Sequence, residues 1–152
     1  MLSKGFLGTY DATADDKGRV RLPAKFRAQL GDSFVLSQGT GNYLCVYPEE
    51  TWDKLTQEVT SFSTLDTDVS DLRRSIFSNA VFGEFDAQGR VLVPQRQRGY
   101  ANLKKDLVVI GNFDFFEIWD RETWESRDYS SAQARMEYQQ KVVGKNAIKE
   151  NP

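Results

Sequence analysis

Two arginines, Arg19 and Arg90, each close the same short pattern, Asp15-Asp-Lys-Gly-Arg19 and Asp86-Ala-Gln-Gly-Arg90. Paired guanidinium groups on matching elements are suited to phosphates and to guanine edges. Other chemistries are closed by composition. The chain has no histidine and one cysteine, Cys45. It therefore holds no Ser-His-Asp triad, no Cys-His pair, no Cys/His zinc site and no internal disulfide. Asp15, Asp16, Glu84 and Asp86 supply carboxylates, but no matched base, Gly-rich phosphate loop or metal spacing accompanies them. The expectation is a non-enzyme with no cofactor, no metal and no small-molecule ligand.

The elements that carry the arginines are duplicated. Residues 15–27 and 86–98 align without a gap, and six of the thirteen positions are identical: Asp15/Asp86, Gly18/Gly89, Arg19/Arg90, Val20/Val91, Pro23/Pro94 and Arg27/Arg98. Lys25/Arg96 keeps the charge. The likeness continues through Asn42–Tyr47 against Asp114–Trp119, and through Thr51-Trp52 against Thr123-Trp124. Two half-domains sharing one core fit this better than a repeat array. Exposed charges drift easily, so the recurrence of three basic positions points to a surface used twice.

Local signals give the order within each half. Gly5–Thr13 and Asn79–Phe85 read as strands. Asp-Xaa-Xaa-Gly marks a tight turn, with Asp15 or Asp86 accepting from backbone amides and Gly18 or Gly89 free to take positive φ. Val20 and Leu22 alternate with Arg19 and Arg21, as in a half-buried strand. Pro23 suits the first position of a short helix stopped by Gly31; in the second copy, after Pro94, Gly99 is expected to interrupt the helix. A hairpin turns around Gly39–Asn42. Helices are expected over Glu49–Val59 and Asp66–Phe77, the latter with Val69, Leu72 and Ile76 on one face, and 60–65 links the halves. After Tyr129 the chain is polar with a weak stripe at Ala132, Met136 and Val143, and Asn146–Pro152 reads as disordered. The expected divisions are a half-domain over 7–50, a helical linker over 51–78, a second half-domain over 79–122, and a C-terminal helix and tail over 123–152.

Net charge is −2, but its distribution is uneven. Residues 1–31 hold six basic and three acidic side chains, and residues 86–105 hold five and one, while the stretches between and after are acidic. Met1–Asp16 has no apolar run long enough for a signal peptide, and no stretch is long enough to span a bilayer. A cytoplasmic protein without membrane contact is expected.

The doubled Asp-Xaa-Xaa-Gly-Arg-Xaa-Xaa-Xaa-Pro, each followed by a hairpin and a Trp-bearing helix start, resembles the MraZ family of bacterial transcriptional regulators. Asp15–Arg19, Pro23–Arg27, Tyr47-Pro48 and Glu117-Ile-Trp119 carry the likeness, over about residues 5 to 128. The resemblance implies an α+β, β-rich fold of the AbrB-like swapped-hairpin β-barrel type, built from two internal repeats of one chain with flanking helices. It also implies a ring-like homo-oligomer on double-stranded promoter DNA in the nucleoid. Such an oligomer binds short repeated boxes before its own gene, at the head of the division and cell-wall cluster, and usually represses it. The family's DNA contact maps to Arg19 and Arg90. Lys17, Arg21, Lys25, Arg27, Arg96 and Arg98 are supporting DNA-binding candidates, and Asp15, Gly18, Pro23, Asp86, Gly89 and Pro94 form the turns. Lys17 and Arg21 face Gln88 and Leu92 in the second copy, so the first half is expected to bind more strongly.

Competing readings keep the fold and change the role: an AbrB-type antitoxin with a toxin partner, or an assembly scaffold whose basic islands grip an acidic protein face. Trp52 and Trp124 read as core or inter-protomer packing, Cys45 as an inert buried thiol, and Lys141, Lys145 and Lys149 as a solvated tail.

Overall fold

The computed structural model describes residues 5–150. Of these, the residues up to Arg121 form one compact unit and those from Glu122 onward a second, smaller one. In the first unit, β1 (Thr9–Thr13), β2 (Arg19–Val20) and α1 (Ala24–Leu30) lead into a hairpin of β3 (Phe34–Gln38) and β4 (Leu44–Pro48). After α2 (Glu49–Thr60) and α3 (Thr67–Phe77) the order repeats as β5 (Ala80–Phe82), β6 (Val91–Leu92), α4 (Gln95–Tyr100), β7 (Asp106–Gly111) and β8 (Phe116–Asp120). The chain closes with α5 (Arg121–Glu125) and α6 (Ala132–Glu150).

Six strands make one antiparallel sheet in the order β1-β7-β8-β4-β3-β5, and β2 pairs with β6 in a separate ribbon. The halves are interleaved. The opening strand of the first repeat lies on the hairpin of the second, Tyr10 opposite Val109. The opening strand of the second repeat lies on the hairpin of the first, Leu36 opposite Val81. The two hairpins meet at the centre through β4 and β8, Cys45 opposite Glu117. The expected mixed, β-rich fold is present. The sheet, however, ends at β1 and β5 and does not close into a barrel.

Both repeats feed one core. Val20, Leu22, Phe26, Leu30, Phe34, Leu36, Leu44 and Val46 from the first half pack with Val91, Val93, Leu107, Val109, Phe116 and Ile118 from the second. Phe6, Phe26 and Phe116 form a mutual triad with ring centroids 5.1–5.3 Å apart.

Several boundaries differ from those expected. Gly5 and Gly8 have φ of 70° and 97°, so regular pairing starts only at Thr9. Pro23 and Pro94 are extended residues just before their helices, not the first helical residues. Gly99 lies inside α4 and does not interrupt it. Asp66 caps α3 by accepting from the Asp68 amide, yet α3 buries none of its side chains; Leu72 is 48% exposed. The helix α6 runs on to Glu150, where disorder was expected from Asn146; Asn151 and Pro152 lie outside the described residues.

Candidate functional site

Each Asp-Xaa-Xaa-Gly-Arg segment is a self-contained turn. The Asp15 carboxylate accepts from the amides of Lys17 and Arg19 at 3.0 and 2.9 Å, and its second oxygen accepts from Arg19 Nε at 2.5 Å. The Gly18 amide donates to the Asp15 carbonyl at 3.0 Å. The second turn repeats every bond: Gln88 and Arg90 amides to Asp86 at 3.0 and 2.9 Å, Arg90 Nε to Asp86 at 2.8 Å, and the Gly89 amide to the Asp86 carbonyl at 3.0 Å. Gly18 and Gly89 hold φ of 81° and 77°, a region that favours glycine.

The turns flank the β2–β6 ribbon, where Val20 faces Val91 and both are buried. That pairing carries the two arginines to one place. Arg90 Nη1 comes within 3.7 Å of Asp15, so one carboxylate serves arginines from both repeats. Their side chains stay 32% and 21% exposed. The aspartates hold Nε by hydrogen bonds and Asp15 also pairs with Arg90 Nη1, while the other Nη groups are left for another acceptor. The Arg19 amide, followed by its guanidinium and the Lys17 amide, pulls the Asp15 carboxyl down to about 2 against an upward push from burial. The Arg90 amide leads the same effect on Asp86. A general acid needs the opposite shift, so these carboxylates are built to anchor cations.

Arg27 and Arg98 have a different setting from Arg19 and Arg90. Each lies on the turn of the other repeat. The Arg27 guanidinium stands 4.7 Å from the centre of the Phe85 ring and packs where a Gly89 side chain would have to go. Arg98 does the same to Gly18, and its Nε is buried without a hydrogen-bond partner. Arg21, just after β2, donates to the Gln88 carbonyl at 3.5 Å, and Arg96 donates to Asn79 Oδ1 at 2.9 Å. Lys17 and Lys25 are exposed.

Other singled-out residues are structural. Cys45 is buried in the central strand, and burial pushes its thiol up to about 12. Trp52 packs on Tyr47 and Phe77, while Trp124 stacks on Tyr129 within the C-terminal unit. Lys141 and Lys145 are exposed. Among the described residues no group of acidic or sulfur side chains is arranged to hold a metal, and no helix is long and apolar enough to cross a membrane.

Two features were missed in the sequence. Gln97 takes the place of Phe26 in the second repeat and is buried, donating to the Asn79 carbonyl and accepting from Gln38, both at 2.9 Å. Lys104 and Lys105 follow α4 beside the first turn, just beyond the window in which the repeats match. The unequal loop lengths after Leu30 and Ala101 were the available signal for the latter.

Comparison with known proteins agrees with this doubled architecture. The family model described as "MraZ protein, putative antitoxin-like" matches twice, over residues 6–74 and 76–143. The chain is 40% identical over 119 residues to a protein of Thermomicrobium roseum named transcriptional regulator MraZ, covering 78% of this chain and 84% of that one. It is 43% identical over 121 residues to the protein of that name from Acetivibrio thermocellus, covering 80% and 85%. The corresponding figures for the Moorella thermoacetica protein of that name are 43% over 120 residues, 79% and 84%.

Proposed function

The chain belongs to the MraZ family, and from that membership we propose that it is a sequence-specific, DNA-binding transcriptional regulator without enzymatic activity. Its reading surface is the pair of Asp-Xaa-Xaa-Gly-Arg turns. The observation that carries this reading is the sharing of Asp15 by Arg19 and Arg90, at 2.5 and 3.7 Å. Two guanidinium groups from different repeats are held together, with the Nη groups other than Arg90 Nη1 left for an outside partner. Such groups pair with guanine edges or phosphates.

In this reading Arg27 and Arg98, packed on the turns, and Lys17, Arg21, Lys25 and Arg96 around them are supporting DNA contacts. Residues 7–50 and 79–122 act as the two half-domains of an AbrB-like swapped-hairpin unit, joined by 51–78 and followed by 123–152. One protomer offers few contacts. A ring-like homo-oligomer facing spaced promoter boxes gains through effective concentration. The proposed target is the chain's own promoter at the head of a division and cell-wall operon, with repression as the outcome and the nucleoid as the place.

The test measures binding of duplex DNA from just before the start codon, against a scrambled duplex, with oligomer size followed by light scattering. Arg19→Ala and Arg90→Ala should each lower specific affinity by roughly 10- to 100-fold, the equivalent of about 1–3 kcal/mol per lost base contact, without changing the oligomer. Normal binding by both variants would overturn the assignment. Equal binding to scrambled DNA would favour the scaffold reading, and capture of a cognate toxin by the purified protein would favour the antitoxin reading.

A further inference from the structure

The two turns match bond for bond, but what stands beside them does not. A cleft of about 450 Å³ opens next to the first turn, lined by Asp15, Asp16, Arg98, Leu103, Lys104 and Lys105. The lysines come from the other repeat. They sit in the loop between α4 and β7, Asn102-Leu103-Lys104-Lys105, which is tied to the first turn by the Ala14 amide donating to the Lys105 carbonyl at 2.9 Å. The equivalent loop after α1 is two residues shorter and reads Gly31-Asp32. The loop at the equivalent place in the first repeat therefore carries an acid where this one carries two cations.

The cations differ in their engagement. Lys104 Nζ lies 3.5 Å from the buried Asp120, which also accepts from the Lys104 amide at 2.9 Å, so this residue fixes the loop. Lys105 is exposed and, among the described residues, no acid pairs with it. Arg98 lines the same cleft, packed against Gly18. Asp15 is already committed to Arg19 and Arg90. Asp16, exposed at the rim, offsets one of the two cations that are left, Lys105 and Arg98, so the cleft keeps a surplus of one positive charge.

We propose that this cleft is a phosphodiester site: Lys105, with Arg98 beside it, seats a DNA backbone phosphate next to the first turn, and the second turn has no such anchor. The inference rests on the DNA-binding reading above and adds a contact to it. Each protomer then lies on the duplex with unequal halves, one clamped to the backbone through Lys105 and one without that clamp. A phosphate contact positions without reading sequence, so its loss weakens all DNA alike. It also removes one phosphate from the counterion-release count.

The experiment is a salt titration of binding to the upstream duplex and to a scrambled duplex. It compares the full-length protein with Lys105→Ala, Lys105→Arg and, as a control for net charge, Lys141→Ala. For Lys105→Ala the slope of log affinity against log salt should become shallower by about 0.9 per bound protomer. Affinity should fall by the same factor on both duplexes. Lys105→Arg should restore the slope, and Lys141→Ala should leave it unchanged. Thermal melting of each variant confirms that the exposed side chain was removed without unfolding. A wild-type slope in Lys105→Ala, or an equal change in Lys141→Ala, overturns the phosphate site while leaving the functional reading intact. Failure of the wild-type protein to bind either duplex overturns the functional reading and this site with it.

Discussion

Gly18 and Gly89 share one backbone conformation but have different neighbours. A side chain on Gly18 would meet the Val93 carbonyl and Arg98 Nε, both at 2.6 Å. One on Gly89 would first meet the end of the Arg27 side chain, which can swing aside. Gly89→Ala should therefore cost about 1–2 kcal/mol, the ordinary penalty of positive φ. Gly18→Ala should cost more, because the backbone carbonyl must also move; chemical denaturation of the two variants compares them directly. The turn carboxylates set a second expectation. A depressed acid contributes stability that is complete above its unfolded value and is lost as pH falls through the folded one. For Asp15 that loss lies between about 4 and about 2. With no histidine and a thiol at about 12, DNA affinity should stay flat from pH 5.5 to 8 at fixed salt. At this scale the turns were legible, because Asp and Gly act on their own neighbours. The settings of Arg27 and Arg98 were not, because each partner lies in the other repeat. Both pack on the opposite turn, and Arg27 stays exposed while it does so.

The short helices α1 and α4 occupy equivalent places with different interiors. α1 drives Phe26 and Leu30 into the core, and Phe26 contacts Phe6, Tyr10 and Phe116. α4 inserts Gln97, which ties β3 to the start of β5 through Gln38 and Asn79. Phe26→Ala should cost about 3–5 kcal/mol. Gln97→Ala should cost about 1–3 kcal/mol, since it leaves a buried polar partner unmet; urea melts read both. Helix periodicity found α1, α2 and α3, and the alternation at Val20 and Leu22 found the strand after the turn. It failed for the burial of α3, because an apolar stripe states what a helix can cover and not what is there to be covered. Gly99 misled because a glycine costs a helix only about 1 kcal/mol, too little to break one that also seats the buried Gln97.

At the scale of the molecule, the repeat was visible in sequence but the exchange of strands was not. No local signal tells β1 to leave its own hairpin for β7, or β5 to join β3. The exchange makes neither half complete. Residues 1–78 alone would leave β1 without a neighbour and β3 and β4 each with one edge open. Separate fragments 1–78 and 79–152 should each lack a cooperative melt, and an equimolar mixture should recover one; circular dichroism and two-dimensional NMR measure this. A chain cleaved between α2 and α3 should stay folded as a two-fragment complex, with a melting midpoint that now depends on protein concentration, since that connection crosses no strand pairing.

Joining both halves in one polypeptide also changes what substitution can achieve. In a dimer of identical chains, a residue altered beside one turn is altered beside the other. Here Phe26 can face Gln97, and Asp32 can stand where the opposite loop carries Lys104 and Lys105. The tether releases the molecule from strict two-fold equality, so its head and tail can be told apart.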